Sequence, residues 1–174
     1  MALFKAFFQR FCIDCYGAER CHVEILLHPI RASDYCVAVL FLDLDNFKRV
    51  NDSMGHGYGD SLLHQVGQRL RNSLRPSDTV ARHGGDEFTV LLENLSDPDK
   101  VISVIRKLRA AFLEPIKVGS QDIYVTFSTG IALYPTDGQN VEDLLRNADT
   151  AMYRAKALGP SQYRFYAPSM NARG

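Results

Sequence analysis

The stretch that most restricts the fold is Val37-Ala38-Val39-Leu40-Phe41-Leu42, apolar without a break, which runs straight into Asp43-Leu44-Asp45. A run of this length with no polar alternation reads as a strand buried on both faces, and the acids mark where it emerges at its carboxyl end. Such a strand needs partners in a sheet and helices above and below it. Asp43 is therefore expected at a strand tip.

The rest of the chain supplies those layers. Asp45 or Asn46 can cap a short helix through Asn51, while Gly55, Gly57 and Gly59 read as a flexible loop ending at Asp60, a good N-cap. Leu63, Val66, Leu70 and Leu74 then recur at helical spacing until Pro76. Thr79-Val80-Ala81-Arg82 and Glu87-Phe88-Thr89-Val90-Leu91-Leu92 read as short strands about Gly84-Gly85, a tight hairpin with Asp86 and Glu87 at its turn. An amphipathic helix follows Asp97-Pro98 and closes at Pro115. The alternation over 123–133 reads as one half-buried strand. A further helix turns Val141, Leu144, Leu145, Ala148, Met152 and Ala155 inward, and Tyr163-Arg164-Phe165-Tyr166 reads as a last strand. This order predicts an α/β (α+β) fold: a central mixed sheet flanked by helices.

Charge excludes some functions. Twenty basic residues balance twenty acidic ones in 174, so no global field draws the chain to nucleic acid or anionic lipid, and a charged ligand must be held locally. Cys12, Cys15, Cys21 and Cys36 all fall in the first quarter, outside the part that reads as regular core, and reduced thiols in a cytoplasmic protein are expected. Cys12, Cys15, Cys21 and His22 form a candidate zinc quartet, though no second well-spaced pair supports it. The start is apolar but broken by Lys5 and Arg10; it reads as a short amphipathic helix or frayed end, without a signal-peptide core. No apolar run approaches the roughly 20 residues that span a bilayer, so a soluble segment without membrane contact is expected.

Two clusters carry chemistry: Asp43 to Asp52, and Gly84-Gly85-Asp86-Glu87-Phe88. If the hairpin lies beside the first strand, Asp43 and the turn carboxylates converge, and crowded anions of that kind call for a cation such as magnesium shared with nucleotide phosphates. Glycines without Cβ let a phosphate chain approach the hairpin backbone, and Lys48 can neutralise its charge. Either motif alone is satisfied by caps and an ordinary turn; together they favour a site.

These residues resemble the GGDEF family, whose name is the string from Gly84 to Phe88. The match also runs through Phe41-Leu42-Asp43-Leu44-Asp45-Asn46-Phe47-Lys48, Asn51-Asp52, Gly55-His56, Gly59-Asp60, Ala81-Arg82, Ser128-Thr129-Gly130-Ile131-Ala132, Ala148-Asp149 and Tyr153-Arg154-Ala155-Lys156. The resemblance implies a palm-like sheet similar to the adenylyl cyclase core and a diguanylate cyclase that condenses two GTP into cyclic di-GMP. It implies Mg2+, two ions with Mn2+ able to substitute, bound by Asp43, the Leu44 carbonyl and Asp86, with Glu87 beside them. Asn51 and Asp60 would bond the guanine edge; Phe47, Lys48, His56, Gly84, Gly85 and Lys156 would line the base pocket and phosphates. Asp86 or Glu87 would accept the hydroxyl proton, with Lys48 assisting catalysis. Each domain holds one GTP, so a transient or regulated homodimer is implied.

Arg75-Pro76-Ser77-Asp78 lies five residues before Gly84, matching the family's Arg-x-x-Asp inhibitory site for cyclic di-GMP, with Arg82 assisting. Read without the family, it is ordinary turn chemistry after a helix. Two departures bear on activity. The family's Asp-x-Leu-Thr-Gly-Leu-x-Asn-Arg-like segment survives only as a trace at 12–20, and Gly159-Pro160-Ser161 replaces Gly-Arg-Asn, removing a phosphate-gripping arginine for which Arg154 or Arg164 are the candidate substitutes. Residues 1–35 are expected as a helical or irregular segment, 36–167 as the GGDEF domain, and 168–174 as the start of a linker. That linker resembles the join to an EAL phosphodiesterase domain, in a longer protein with a sensor domain. Alternatives to the enzyme are a catalytically weak domain that binds GTP to regulate an attached phosphodiesterase, and a cyclic di-GMP receptor.

Overall fold

The computed structural model describes residues 36–171. The expected amino-terminal helix, the Cys12, Cys15, Cys21 and His22 quartet and the trace motif at 12–20 lie outside the described residues, as do 172–174. Along the described chain come β1 (Cys36–Leu44), α1 (Phe47–Met54), α2 (His56–Asn72), β2 (Thr79–Gly84), β3 (Glu87–Leu95), α3 (Asp99–Ala111), β4 (Ile116–Val118), β5 (Gln121–Ile123), β6 (Phe127–Tyr134), α4 (Val141–Lys156), β7 (Tyr163–Phe165) and a 3-10 turn, Pro168–Asn171. The main sheet has the order β2-β3-β1-β6-β7, with β4 and β5 forming a separate hairpin. β1 is central and antiparallel to both neighbours, whereas β7 runs parallel to β6, which makes the sheet mixed as expected.

The apolar run of β1 does what its sequence predicts. Leu40, Leu42 and Leu44 join one buried cluster with Phe47 of α1, Leu62, Val66 and Leu70 of α2, and Ile105 and Leu108 of α3. Val37, Val39 and Phe41 join the other, with Leu144, Ala148 and Met152 of α4. Each fully buried side chain of this size contributes about 1.5–3 kcal/mol relative to exposure, so both faces hold the strand in place. Alternation also places Asp43 on the α4 side, with Asp45 in the turn that follows. α4 lies close because residue 130 of β6 has no side chain: a Cβ there would sit 1.9 Å from the Ala148 carbonyl oxygen and 2.2 Å from the Met152 nitrogen.

Four expectations change. The Gly55-to-Gly59 stretch is not a loop, because α2 starts at His56 and Gly57 and Gly59 lie inside it; its N-cap is Gly55, at φ 87°, and Asp60 sits one turn into the helix. Gly59 tolerates this because it is buried against α1, where packing outweighs the roughly 1 kcal/mol propensity cost of glycine. Asn46, at φ 60°, occupies the N-cap of α1 without a side-chain capping bond. The single strand expected over 123–133 is two: β5 ends at Ile123, and β6 is buried on both faces from Phe127 to Ala132 because α4 covers the side that alternation left polar. Cys36 opens β1 half-buried, its thiol pushed up first by burial and then by Asp137.

Candidate functional site

The site grows from the end of β1. In register, Asp43 pairs with Glu87 of β3 on one side and Ser128 of β6 on the other. Gly84 pairs with Glu87, so Gly85 and Asp86 form the hairpin tip. Gly85 takes φ 50°, a left-handed conformation costly to a residue with a Cβ, and around both glycines a Cβ would meet open space. The tip is tied down by Arg82 Nε donating to the Gly85 carbonyl at 2.9 Å and the Leu44 N–H donating to the Asp86 carbonyl at 3.2 Å.

The carboxylates share one electrostatic neighbourhood. Burial is the main cause that raises the Asp43 pKa, with Asp86 and Asp45 adding to it and the bond to Lys156 opposing. Glu87 is raised by burial too, lowered by His83, and raised further by Asp43, Asp149 and Asp86. Asp43 is only 6% exposed, and Lys156 Nζ, at the end of α4, lies 2.5 Å from its Oδ1. That lysine answers the demand for a cation. Among the described residues no three His, Cys, Asp or Glu side chains group closely enough to hold a metal by themselves. Mg2+ typically binds through one or two carboxylates and completes its shell with phosphate and water oxygens, so Asp43, Asp86 and a backbone carbonyl suit a shared ion rather than a protein cage.

The residues expected at the base lie on α1 and α2. Phe47 is buried, and the Oδ1 of Asn51 is buried without a hydrogen-bond partner. An orphaned acceptor of this kind costs about 1–3 kcal/mol, a cost a polar ligand edge would remove. Gly59 makes room for it, since a Cβ there would fall 1.9 Å from that oxygen. Lys48, His56 and Asp60 are exposed.

The Arg75–Asp78 edge divides. Asp78 is 4% exposed, and its Oδ2 accepts from the Arg75 N–H at 3.1 Å; Arg71 grips the carbonyls of Asp78 and Arg75. The Asp78 carboxylate thus closes its own turn. Arg75 and Arg82 are exposed, Arg82 having its Nε on the hairpin tip. Of the candidates to replace the missing arginine, Arg154 donates to the Met170 carbonyl at 3.0 Å, and Arg164 is exposed on β7.

Sequence reading missed the role of Asp45. Its Oδ2 accepts from Thr126 Oγ1 at 2.7 Å and from the Ser161 N–H at 2.8 Å, and its Oδ1 accepts from Ser128 Oγ at 2.7 Å. The available signal was its place two residues after Asp43, just past the end of β1.

The comparisons with known proteins agree with this geometry. Residues 20–162 match the family model described as diguanylate cyclase, GGDEF domain. The chain is 47% identical over 135 residues to the bifunctional diguanylate cyclase/cyclic di-GMP phosphodiesterase MucR of Pseudomonas aeruginosa, covering 78% of this chain and 20% of that protein. It is 44% identical over 137 residues to the cyclic di-GMP phosphodiesterase NbdA of the same organism, covering 79% of this chain and 17% of that protein. The chain thus spans a fifth or less of the length of these relatives. Among solved structures, an EAL/GGDEF domain protein from M. capsulatus superposes with a TM-score of 0.74 at 47% identity, covering 79% of this chain and 88% of that one. With a matching mixed sheet, a glycine hairpin tip and the family's residues in order around it, the chain belongs to the GGDEF domain family.

Proposed function

We propose that this domain is a diguanylate cyclase that condenses two GTP into cyclic di-GMP with release of pyrophosphate. The observation that carries the reading is the meeting of Asp43 and Glu87 across the β1–β3 ladder, with Asp86 at the adjoining tip and Lys156 on Asp43. In the proposed reaction the 3′-oxygen of one GTP bonds to the α-phosphorus of the other as the bond to pyrophosphate breaks, and the step repeats to close the ring. Asp86 or Glu87 takes the hydroxyl proton. Bound Mg2+, proposed as two ions with Mn2+ able to substitute, would be held by Asp43, the Leu44 carbonyl and Asp86 beside Glu87, and would supply charge neutralisation on the phosphates.

The chain's own residues do the remaining work. The open hairpin tip at Gly84 and Gly85 admits the phosphates, and Lys48 and Lys156 counter their charge. Asn51 and Asp60 bond the guanine edge, and Phe47 and His56 line the base; a buried acceptor left unpaired by the wrong base is a strong basis for rejecting adenine. Each domain presents one GTP, so catalysis needs two domains face to face. We place the domain in the cytoplasm, within a longer protein carrying EAL and sensor domains; no helix of the described residues is long and apolar enough to cross a membrane.

A second reading is favoured by Pro160 and by the engagement of Arg154 with Met170. In it, the domain binds GTP without turnover and regulates an attached phosphodiesterase. Incubation with GTP and Mg2+, analysed for cyclic di-GMP and pyrophosphate, separates the two. Product formation supports the cyclase, tight GTP binding without product selects the regulator, and absence of GTP binding refutes both.

A further inference from the structure

We infer that Asp45 is a positioning residue for the phosphate-binding lysine, Lys156: its carboxylate fixes the end of α4 against the tip of β1. This rests on the reading of the site as a GTP site. Asp45 is half-buried, and among the described residues the three donors that reach its carboxylate are neutral. Two come from the start of β6 and its approach, 81 and 83 residues away; the third is the backbone N–H of Ser161, 116 residues away in the turn just after α4.

The placement gives that third bond its consequence. Ser161 holds φ 57°, a left-handed conformation that a non-glycine residue adopts only when its surroundings hold it there. The surroundings include the bond to Asp45, and charge-assisted bonds of this kind are about twice as strong as neutral ones. The turn it anchors runs back through Pro160 and Gly159, whose N–H bonds the Lys156 carbonyl at 3.0 Å. Lys156 in turn reaches Asp43, two residues before Asp45 at the end of β1. The end of α4 is thus pinned to β1 twice. The Lys156–Asp43 pair carries a mobile charge, because the lysine side chain is 38% exposed and can exchange its partner for a phosphate. The Asp45–Ser161 bond joins a carboxylate to backbone and has no such freedom. Asp45 therefore sets where the ammonium starts from, while the lysine supplies the charge.

A double-mutant cycle on GTP binding, measured by calorimetry with Mg2+ present, tests this. Asp45→Ala is expected to weaken GTP binding about tenfold in the wild-type background and to change it less than about twofold in a Lys156→Met background, the non-additivity of residues acting in series. Equal losses in the two backgrounds would overturn the proposal, since a merely structural role acts whether or not the lysine is present. Asp45→Asn, which keeps one acceptor oxygen, is expected to give an intermediate loss, and it carries the same cycle if Asp45→Ala does not fold. Failure of the wild type to bind GTP would overturn the functional reading itself, whereas binding with additive losses overturns only the role of Asp45.

Discussion

Two buried aspartates in this domain are spent in opposite ways. Asp78 is met by the N–H of a residue three positions earlier, so its carboxylate serves its own turn and is sealed from ligands. Asp43 is met by a lysine from the far end of another helix, and burial above all, with Asp86 and Asp45 adding to it, disfavours its charge despite that lysine. A locally satisfied carboxylate stabilises; one left to long-range partners is available for chemistry. At the Arg75–Asp78 edge the side chains left exposed are Arg75 and Arg82, and we propose these two, rather than Asp78, as the contacts of a cyclic di-GMP site.

The largest expected effect tests the Asp43 half. Asp43→Asn should lower Mg2+-dependent GTP turnover at least about a hundredfold, while the melting temperature stays level or rises because a buried charge is removed and carboxylate repulsion is relieved. Near-normal turnover with an intact circular dichroism spectrum would remove Asp43 from the metal site. The Asp78 half predicts the reverse signature. Asp78→Ala should cost about 1–3 kcal/mol of stability in urea unfolding and leave turnover within a few-fold, and a large loss of turnover at unchanged stability would break the contrast.

Arg75→Ala sharpens the same edge. Loss of a guanidinium fork should weaken cyclic di-GMP binding by about tenfold, read by calorimetry, with stability unchanged; equal affinity in variant and wild type would dismiss the edge as an inhibitory site. A smaller gain is expected from Pro160→Arg, which restores a cation beside the proposed phosphates and should tighten GTP binding about threefold. An unchanged or weaker affinity would argue against that placement.

The smallest effect is on pH. Because the folded-state pKa of Asp43 is raised, the unfolded chain binds fewer protons between the ordinary aspartate value and the raised one, and stability falls as the pH rises across that window and stays lowered above it. That cost is absent below the unfolded pKa. Without nucleotide or divalent metal, any excess stability of Asp43→Asn over wild type should thus shrink as the pH falls through the raised value. A difference that grows on acidification would mean that Lys156 outweighs burial.

The elements that could be read directly are those whose signal is local. β1 is continuous in its apolar run, the hairpin carries paired glycines, and α3 and α4 repeat their apolar residues at helical spacing. The elements misread are those that distant packing creates. α2 extends through Gly57 and Gly59 because Gly59 fits against Asn51 and Phe47. β4, a strand that was not expected, lies against α2, with Gln65 donating to the Lys117 carbonyl and Arg69 to those of Glu114 and Pro115. The latter contacts span 45 to 52 residues and leave no trace in a short stretch of sequence.

The same division runs through the site. The sequence by itself determined which residues could carry the chemistry, because carboxylates at a strand end and glycines at a hairpin tip have few other uses in combination, and their order identified the family. Only the tertiary structure decided their assignments. It turned Asp78 inward to its own turn, set Lys156 on Asp43, and gave Asp45 to Thr126, Ser128 and Ser161. The physical reason is that a carboxylate's role depends on which donor reaches it first, and the donors that reached Asp43 and Asp45 are brought there by the sheet and α4 rather than by neighbouring residues in the chain.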